Sequence, residues 1–153
     1  MHPLLARVSA SVEAISSRTE PTALLLTRLV FGQAFLVTGW GKLGNLAGIT
    51  KFFEELGIPL ASVQAPMVAT IEFVGGILLL LGLGTRYVTL LLMSTMLVAL
   101  ATAHRGDFGP AFLLDKSFAD VTPLPFLVGL LFVFARGSGP LAADRLLEQR
   151  AHA

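Results

Sequence analysis

The sequence predicts an all-α protein, a four-helix transmembrane bundle, and three observations carry that expectation. Four apolar stretches alternate with short charged ones. Only 14% of the 153 residues are charged, against about a quarter in soluble domains. Hydrophobic residues make up 54% of the chain, and its mean hydropathy is +0.77. Finally, residues 56–85 hold a single charged side chain, Glu72, in a run long enough to cross a bilayer.

Residues 1–21 form an N-terminal tail. Leu4, Leu5, Val8, Val12 and Ile15 recur in a helix-like way, so a short amphipathic helix on the membrane surface and a frayed tail are both open. The segment lacks the apolar core of a signal peptide, and no cleavable leader is expected. Pro21 suits the first turn of a helix, where its missing N–H costs little. The first span is placed at Thr22–Leu43, with Trp40 near its far end, where an indole suits the interface. Phe52, Phe53 and Leu56 predict a short amphipathic helix in the following loop, stopped at Gly57-Ile58-Pro59.

The second span is Gln64–Leu83 and the third Tyr87–Ala103, joined by a turn so short that the two should be antiparallel neighbours. Phe108–Leu114 is too apolar for a free loop and too short to span, and is expected to cap the outer mouth near Trp40 and Phe52. The fourth span, Val121–Ala135, is short for a full crossing. Residues 22–136 thus form the membrane domain and 137–153 a C-terminal tail. Arg7, Arg18, Arg86, Arg136, Arg145 and Arg150 fall on one side, and Lys42, Lys51, Arg105 and Lys116 on the other. The positive-inside rule therefore puts both termini in the cytoplasm.

Several chemistries are excluded. There is no cysteine, which rules out disulfides, thiolate metal sites and thiol redox. A net charge of +1 gives no reason to expect nucleic-acid binding. The histidines are His2, His104 and His152, with no spaced pair on a span, so no metal site is expected. Asp107, Asp115 and Asp120 either gather at the outer mouth or are simply solvated. No phosphate loop, dinucleotide fingerprint or nucleophile elbow is present.

What remains is charge inside the membrane. Arg28, Gly32, Phe35, Gly39 and Lys42 share one face of the first span, and Val68, Glu72, Gly75, Gly76 and Leu79 one face of the second. Glycines on both faces permit close approach. A buried carboxylate needs a partner. Measured from the expected span ends, Glu72 falls between the two cations in depth and nearer to Arg28, which predicts an Arg28–Glu72 pair. Lys42 and His104 then lie toward the outer surface, where they could bond a ligand or pass a proton. Arg28, Lys42, Glu72 and His104 are the candidate ligand-binding residues. The competing reading is a helix interface that neutralises its own charges, with His104 an interfacial polar residue.

The chain resembles the DoxX family of small bacterial and archaeal membrane proteins. The resemblance rests on Leu26-Thr27-Arg28-Leu29 with Gly32, Phe35, Gly39 and Lys42, then on Phe52, Leu56-Gly57-Ile58-Pro59 and Glu72 with Gly75-Gly76. It continues through Leu80-Leu81-Gly82-Leu83-Gly84-Thr85-Arg86 and the late Gly137-x-Gly139-x-Leu141-x-x-Asp144, so that it covers Leu24 to Asp144. Ala142 stands where the family commonly has serine. The resemblance implies a four-helix domain in the bacterial or archaeal cytoplasmic membrane. It also implies a link to quinone-coupled oxidoreduction, as in subunits of a thiosulfate:quinone oxidoreductase, or to oxidative-stress complexes.

The expected function is a membrane subunit of an oxidoreductase system, whose charged centre meets a lipophilic small molecule such as a quinone and whose electrons come from a redox partner protein. The alternatives are a non-catalytic anchor or stabilising subunit for a partner, and a small transporter.

Overall fold

A computed structural model of the chain describes residues 3–107, 109 and 117–145. Its helices are α1 (Pro3–Gly44), α2 (Leu46–Glu55), α3 (Ala61–Leu81), α4 (Thr85–Ala101) and α5 (Pro123–Arg136), with a 3-10 turn at Phe118–Asp120 before α5. No strand occurs among the described residues. The expected cap at Phe108–Leu114 lies outside them apart from Gly109, as do Asp115, Lys116, Arg150, His2 and His152.

The first span differs from expectation. Instead of starting at Pro21, α1 runs unbroken from Pro3 to Gly44 with Pro21 inside it. A proline removes one helical hydrogen bond and tends to kink the helix, but it ends one reliably only when other breakers stand beside it. Here the neighbours are Thr19, Glu20, Thr22 and Ala23, with no glycine or second proline. The described side chains between Val12 and Thr19 are exposed, so this part of α1 stands clear of the bundle.

The other elements follow their local signals. Asn45 caps α2, its side chain accepting a hydrogen bond from the Gly48 N–H at 3.2 Å. Past α2, Gly57 turns the chain with φ +72°. At the α3–α4 turn, Gly82 and Gly84 both take the left-handed conformation, at φ +69° and +56°, which L side chains rarely adopt. With so short a connection α4 returns beside α3, as the sequence predicts. Two helices, α1 and α3, are long and apolar enough to cross a membrane; α4 and α5 are shorter apolar helices.

The most extensive packing is α1 on α3, followed by α4 on α5. Leu24 and Phe35 of α1, Leu79 of α3, Val88 and Leu92 of α4, and Leu130 and Val133 of α5 form one buried cluster. Phe126 sets its edge against both Phe31 and Phe35, with ring centroids 5.2 Å apart in each pair. Outside this core, Leu26, Val30, Val37, Val74, Leu91, Val128 and Leu131 are exposed. Such a surface would be an aggregation hazard in water but is the solvated face in a bilayer.

The α1–α3 seam is set by glycine. Gly32 lies against Leu80, Leu36 against Gly76, and Gly39 against Phe73. A Cβ at Gly76 would sit 2.5 Å from the Leu36 backbone N and 2.8 Å from the Gly32 carbonyl oxygen. Backbone cannot swing aside as a side chain can. Gly76→Ala is therefore expected to lower stability by about 1–3 kcal/mol, the usual cost of overpacking. Gly41→Ala meets nothing within 4 Å and should be neutral or slightly stabilising. Thermal unfolding of the two variants in detergent checks this, and equal midpoints would count against the seam.

Candidate functional site

The charges buried in the helix bundle separate into two centres. The first surrounds Arg28, which is 1% exposed. Its Nε donates to the Leu79 carbonyl at 3.1 Å, Nη2 to the Leu80 carbonyl at 3.2 Å, and Nη1 to the carbonyls of Ser138 at 2.6 Å and Leu141 at 3.3 Å. The Leu79 and Leu80 carbonyls belong to the last turn of α3, where the helix cannot satisfy its own acceptors. A guanidinium suits the task, because its fixed planar fork reaches several acceptors in different directions.

The late glycine motif brings the other two carbonyls into place. Gly137 and Gly139 take φ +77° and +75°, and the segment folds back over the α3–α4 turn. Asp144 secures it there. Its carboxylate accepts from the backbone N–H of Gly84 at 2.7 Å and of Thr85 at 3.2 Å, and from the Thr85 hydroxyl at 3.3 Å. This caps the start of α4, where a carboxylate also meets the positive end of the helix dipole. The Asp144 N–H in turn donates to the Gly82 carbonyl at 3.1 Å. A Cβ on Gly82 would collide with the Arg28 guanidinium and lie 2.7 Å from the Ala142 Cβ. Arg28, Gly82, Gly84, Gly137, Gly139 and Asp144 thus make one lock joining α1, the α3–α4 turn and the chain after α5. Alanine at position 142 leaves the lock closed, because backbone carbonyls supply its acceptors.

The second centre holds Glu72, 1% exposed and midway along α3. Its partner is Lys42, whose Nζ lies 2.5 Å from Oε1 and 2.6 Å from Oε2. Thr38 Oγ1 stands 3.2 Å from Oε2 and also 3.2 Å from the Phe35 carbonyl. A hydroxyl has one proton, so it donates to one of these at a time. The Lys42 side chain is 28% exposed, so a lysine anchored to a buried carboxylate also reaches the outside of the seam. Trp40, on the neighbouring face of α1, packs its ring 5.6 Å from that of Phe73. No buried side-chain nitrogen or oxygen among the described residues lacks a partner.

The expected Arg28–Glu72 pair is therefore replaced by Lys42–Glu72. The error lies in the register. Aligning the helices at Thr22 and Leu83 sets Arg28 roughly two turns too deep relative to α3, about 10 Å at 1.5 Å per residue. The glycine contacts put Arg28 level with the α3–α4 turn and Lys42 near Glu72. His104 does not join either centre: its ring Nδ1 lies 3.2 Å from the Asp107 carboxylate in the turn after α4. Of the four candidate residues, the structure brings Lys42 and Glu72 together, assigns Arg28 to the lock and leaves His104 apart. Thr38, a polar residue on α1 one turn before Lys42, joins the Lys42–Glu72 centre without any sequence signal pointing to it. Asp144 enters the sequence reading only as part of a motif, although an aspartate following two glycines carries the signal of a turn and a cap.

The model of the DoxX family matches residues 23–105. Among named proteins, the chain is 29% identical over 140 residues to the Escherichia coli "Inner membrane protein YqjF", a match covering 87% of this chain and 98% of that protein. It is 38% identical over 117 residues to the Bacillus subtilis "Putative oxidoreductase CatD", covering 72% and 86% of the two chains. It is 33% identical over 141 residues to the Mycobacterium tuberculosis "Uncharacterized membrane protein Rv3486", covering 87% and 86%. No solved structure matches the chain.

Proposed function

The chain belongs to the DoxX family of membrane proteins, and from that premise we propose that it is the membrane subunit of an oxidoreductase system, presenting Lys42–Glu72 to a membrane-dissolved quinone. The observation that carries the reading is the half-open ion pair: a Glu72 side chain 1% exposed holding a Lys42 side chain 28% exposed. An ammonium fixed in this way can donate a hydrogen bond to a quinone carbonyl oxygen. A quinone reduced by two electrons takes up two protons. The electrons come from a partner redox protein, and Lys42 hands on the two protons one after the other, taking up a proton from the aqueous side after each transfer. The relative named as an oxidoreductase supports this direction.

In the same reading the protein lies in the bacterial or archaeal cytoplasmic membrane, with residues 22–136 as the membrane domain and both termini in the cytoplasm. α4 and α5 complete the crossings. At 17 and 14 residues they span roughly 25 and 21 Å, which calls for local thinning of the bilayer.

The test is mass spectrometry of quinones retained by purified protein. Wild type should retain quinone, and the Lys42→Met/Glu72→Gln variant, though folded, should lose most of it. Wild type carrying no more quinone than an unrelated membrane protein would overturn the reading. A redox partner that co-purifies equally with both forms would instead make the chain an anchor.

A further inference from the structure

At the end of the bundle opposite Lys42, a cleft of about 790 Å³ opens between the middle of α1, the start of α4 and the end of α5. Arg86 of α4, Arg136 of α5 and Arg145 beyond it all line the cleft. Its two carboxylates are already engaged. Asp144 caps α4, and Glu20 pairs with Arg136 at 3.1 Å. Arg86 lies alongside Gly137, where a Cβ would come within 3.5 Å of its Nε, and among the described residues it has no ion-pair partner. Arg145 is exposed at the rim. The cleft therefore keeps positive charge that its own residues do not neutralise.

Part of its wall is apolar. Pro21 and Leu24 of α1 and Pro140 line it beside Thr85 and Ser138, and Tyr87, 79% exposed, stands at its lip. The level matters as well. The cleft lies where the apolar runs of α1, α4 and α5 begin or end, and exposed tyrosines favour that depth in a bilayer. A pocket that joins guanidinium forks to an apolar wall at the membrane surface suits a ligand with an anionic head and an apolar body. Guanidinium recognises phosphate oxygens two at a time.

We propose that this cleft binds the phosphate of an anionic phospholipid headgroup, with Arg86 and Arg145 as its free cations and Arg136 held in place by Glu20. The site is independent of the Lys42–Glu72 reading and stands or falls separately. Bound lipid would tie the middle of α1 and the start of α4 to the end of α5, next to the Arg28 lock, and so stabilise the fold.

The test titrates full-length protein in neutral detergent with dioleoylphosphatidylglycerol, with dioleoylphosphatidylcholine, and with inorganic phosphate, following the thermal midpoint. Phosphatidylglycerol alone should raise it. A basic side chain near an anionic headgroup contributes about fivefold in affinity, so Arg86→Gln/Arg145→Gln should weaken the response roughly thirtyfold. Both side chains are exposed and outside the lock, so the variant should keep the wild-type midpoint in phosphatidylcholine. Arg105→Gln, beyond the far end of α4, should respond as wild type does. An equal shift with phosphatidylcholine would overturn the proposal, as would an undiminished shift in the double variant. An equal shift with inorganic phosphate would overturn the lipid assignment in favour of a soluble phosphate ligand.

Discussion

Arg28→Met is expected to destabilise the protein by about 3–5 kcal/mol, the cost of breaking a buried, charged hydrogen-bond network. Methionine fills much of the space but donates nothing. It would leave the carbonyls of Leu80, Ser138 and Leu141 without the guanidinium donors, and that of Leu79 with only the Gly82 N–H at 3.2 Å. Each buried acceptor left without a partner costs about 1–3 kcal/mol, reduced where water enters. The damage should be local before it is global. With the guanidinium gone, residues 137–145 keep the Asp144 bonds and the packing of Gly139 on Leu24 and of buried Ala142 on Gly82, but lose their tie to α1 through Arg28, so this segment should become more sensitive to protease. Arg28→Lys should recover only a minority of the loss, because a compact ammonium cannot reach acceptors on both α3 and the late segment. Thermal unfolding in detergent together with limited proteolysis checks both expectations. A wild-type midpoint in Arg28→Met would remove the lock from the account.

At the other centre the two partners should be unequal. Lys42→Met strands a carboxylate that is 1% exposed, with only the Thr38 hydroxyl beside it, and should cost about 3–5 kcal/mol. Glu72→Gln leaves a lysine that is already 28% exposed, whose long stem lets the ammonium move toward water. That change should cost about 1–2 kcal/mol, near the value of a lost charged hydrogen bond. Combining the two should restore part of what Lys42→Met loses, because no buried charge remains. Midpoints measured under one detergent condition give the order. A more severe Glu72→Gln would mean that the lysine, not the carboxylate, is the buried member.

Much of this architecture is legible in the residues. Span-length apolar runs place α3, α4 and α5 within a few residues, and Gly57 and the Gly82–Gly84 turn mark their own bends. The glycine faces of α1 and α3 also foretell their close packing. What periodicity cannot supply is the axial offset between two helices. A helical face tells which residues look at a partner, but not at which height. Here the height is set where Gly39 and Gly76 admit the opposing backbone. That offset decides which cation meets Glu72, and an error of two turns exchanges Lys42 for Arg28. The arginine's true partners were hidden for a second reason: they are backbone carbonyls, which every residue carries and no pattern reveals. The length of α1 was likewise obscured, since Pro21 is a break signal that its helix-compatible neighbours override.

Two separate polar centres hold the seam, Lys42 with Glu72 and Arg28 with the carbonyls at the opposite end. Paired double-mutant cycles on thermal stability test this most directly, one with Lys42→Met and Glu72→Gln, the other with Arg28→Met and Glu72→Gln. The glycine register separates Arg28 from Glu72 by about 18 Å along the helix axis. The first cycle should therefore show a coupling of about 1–3 kcal/mol, and the second should be additive within about 0.5 kcal/mol. Coupling between Arg28 and Glu72 with additivity between Lys42 and Glu72 would contradict the account.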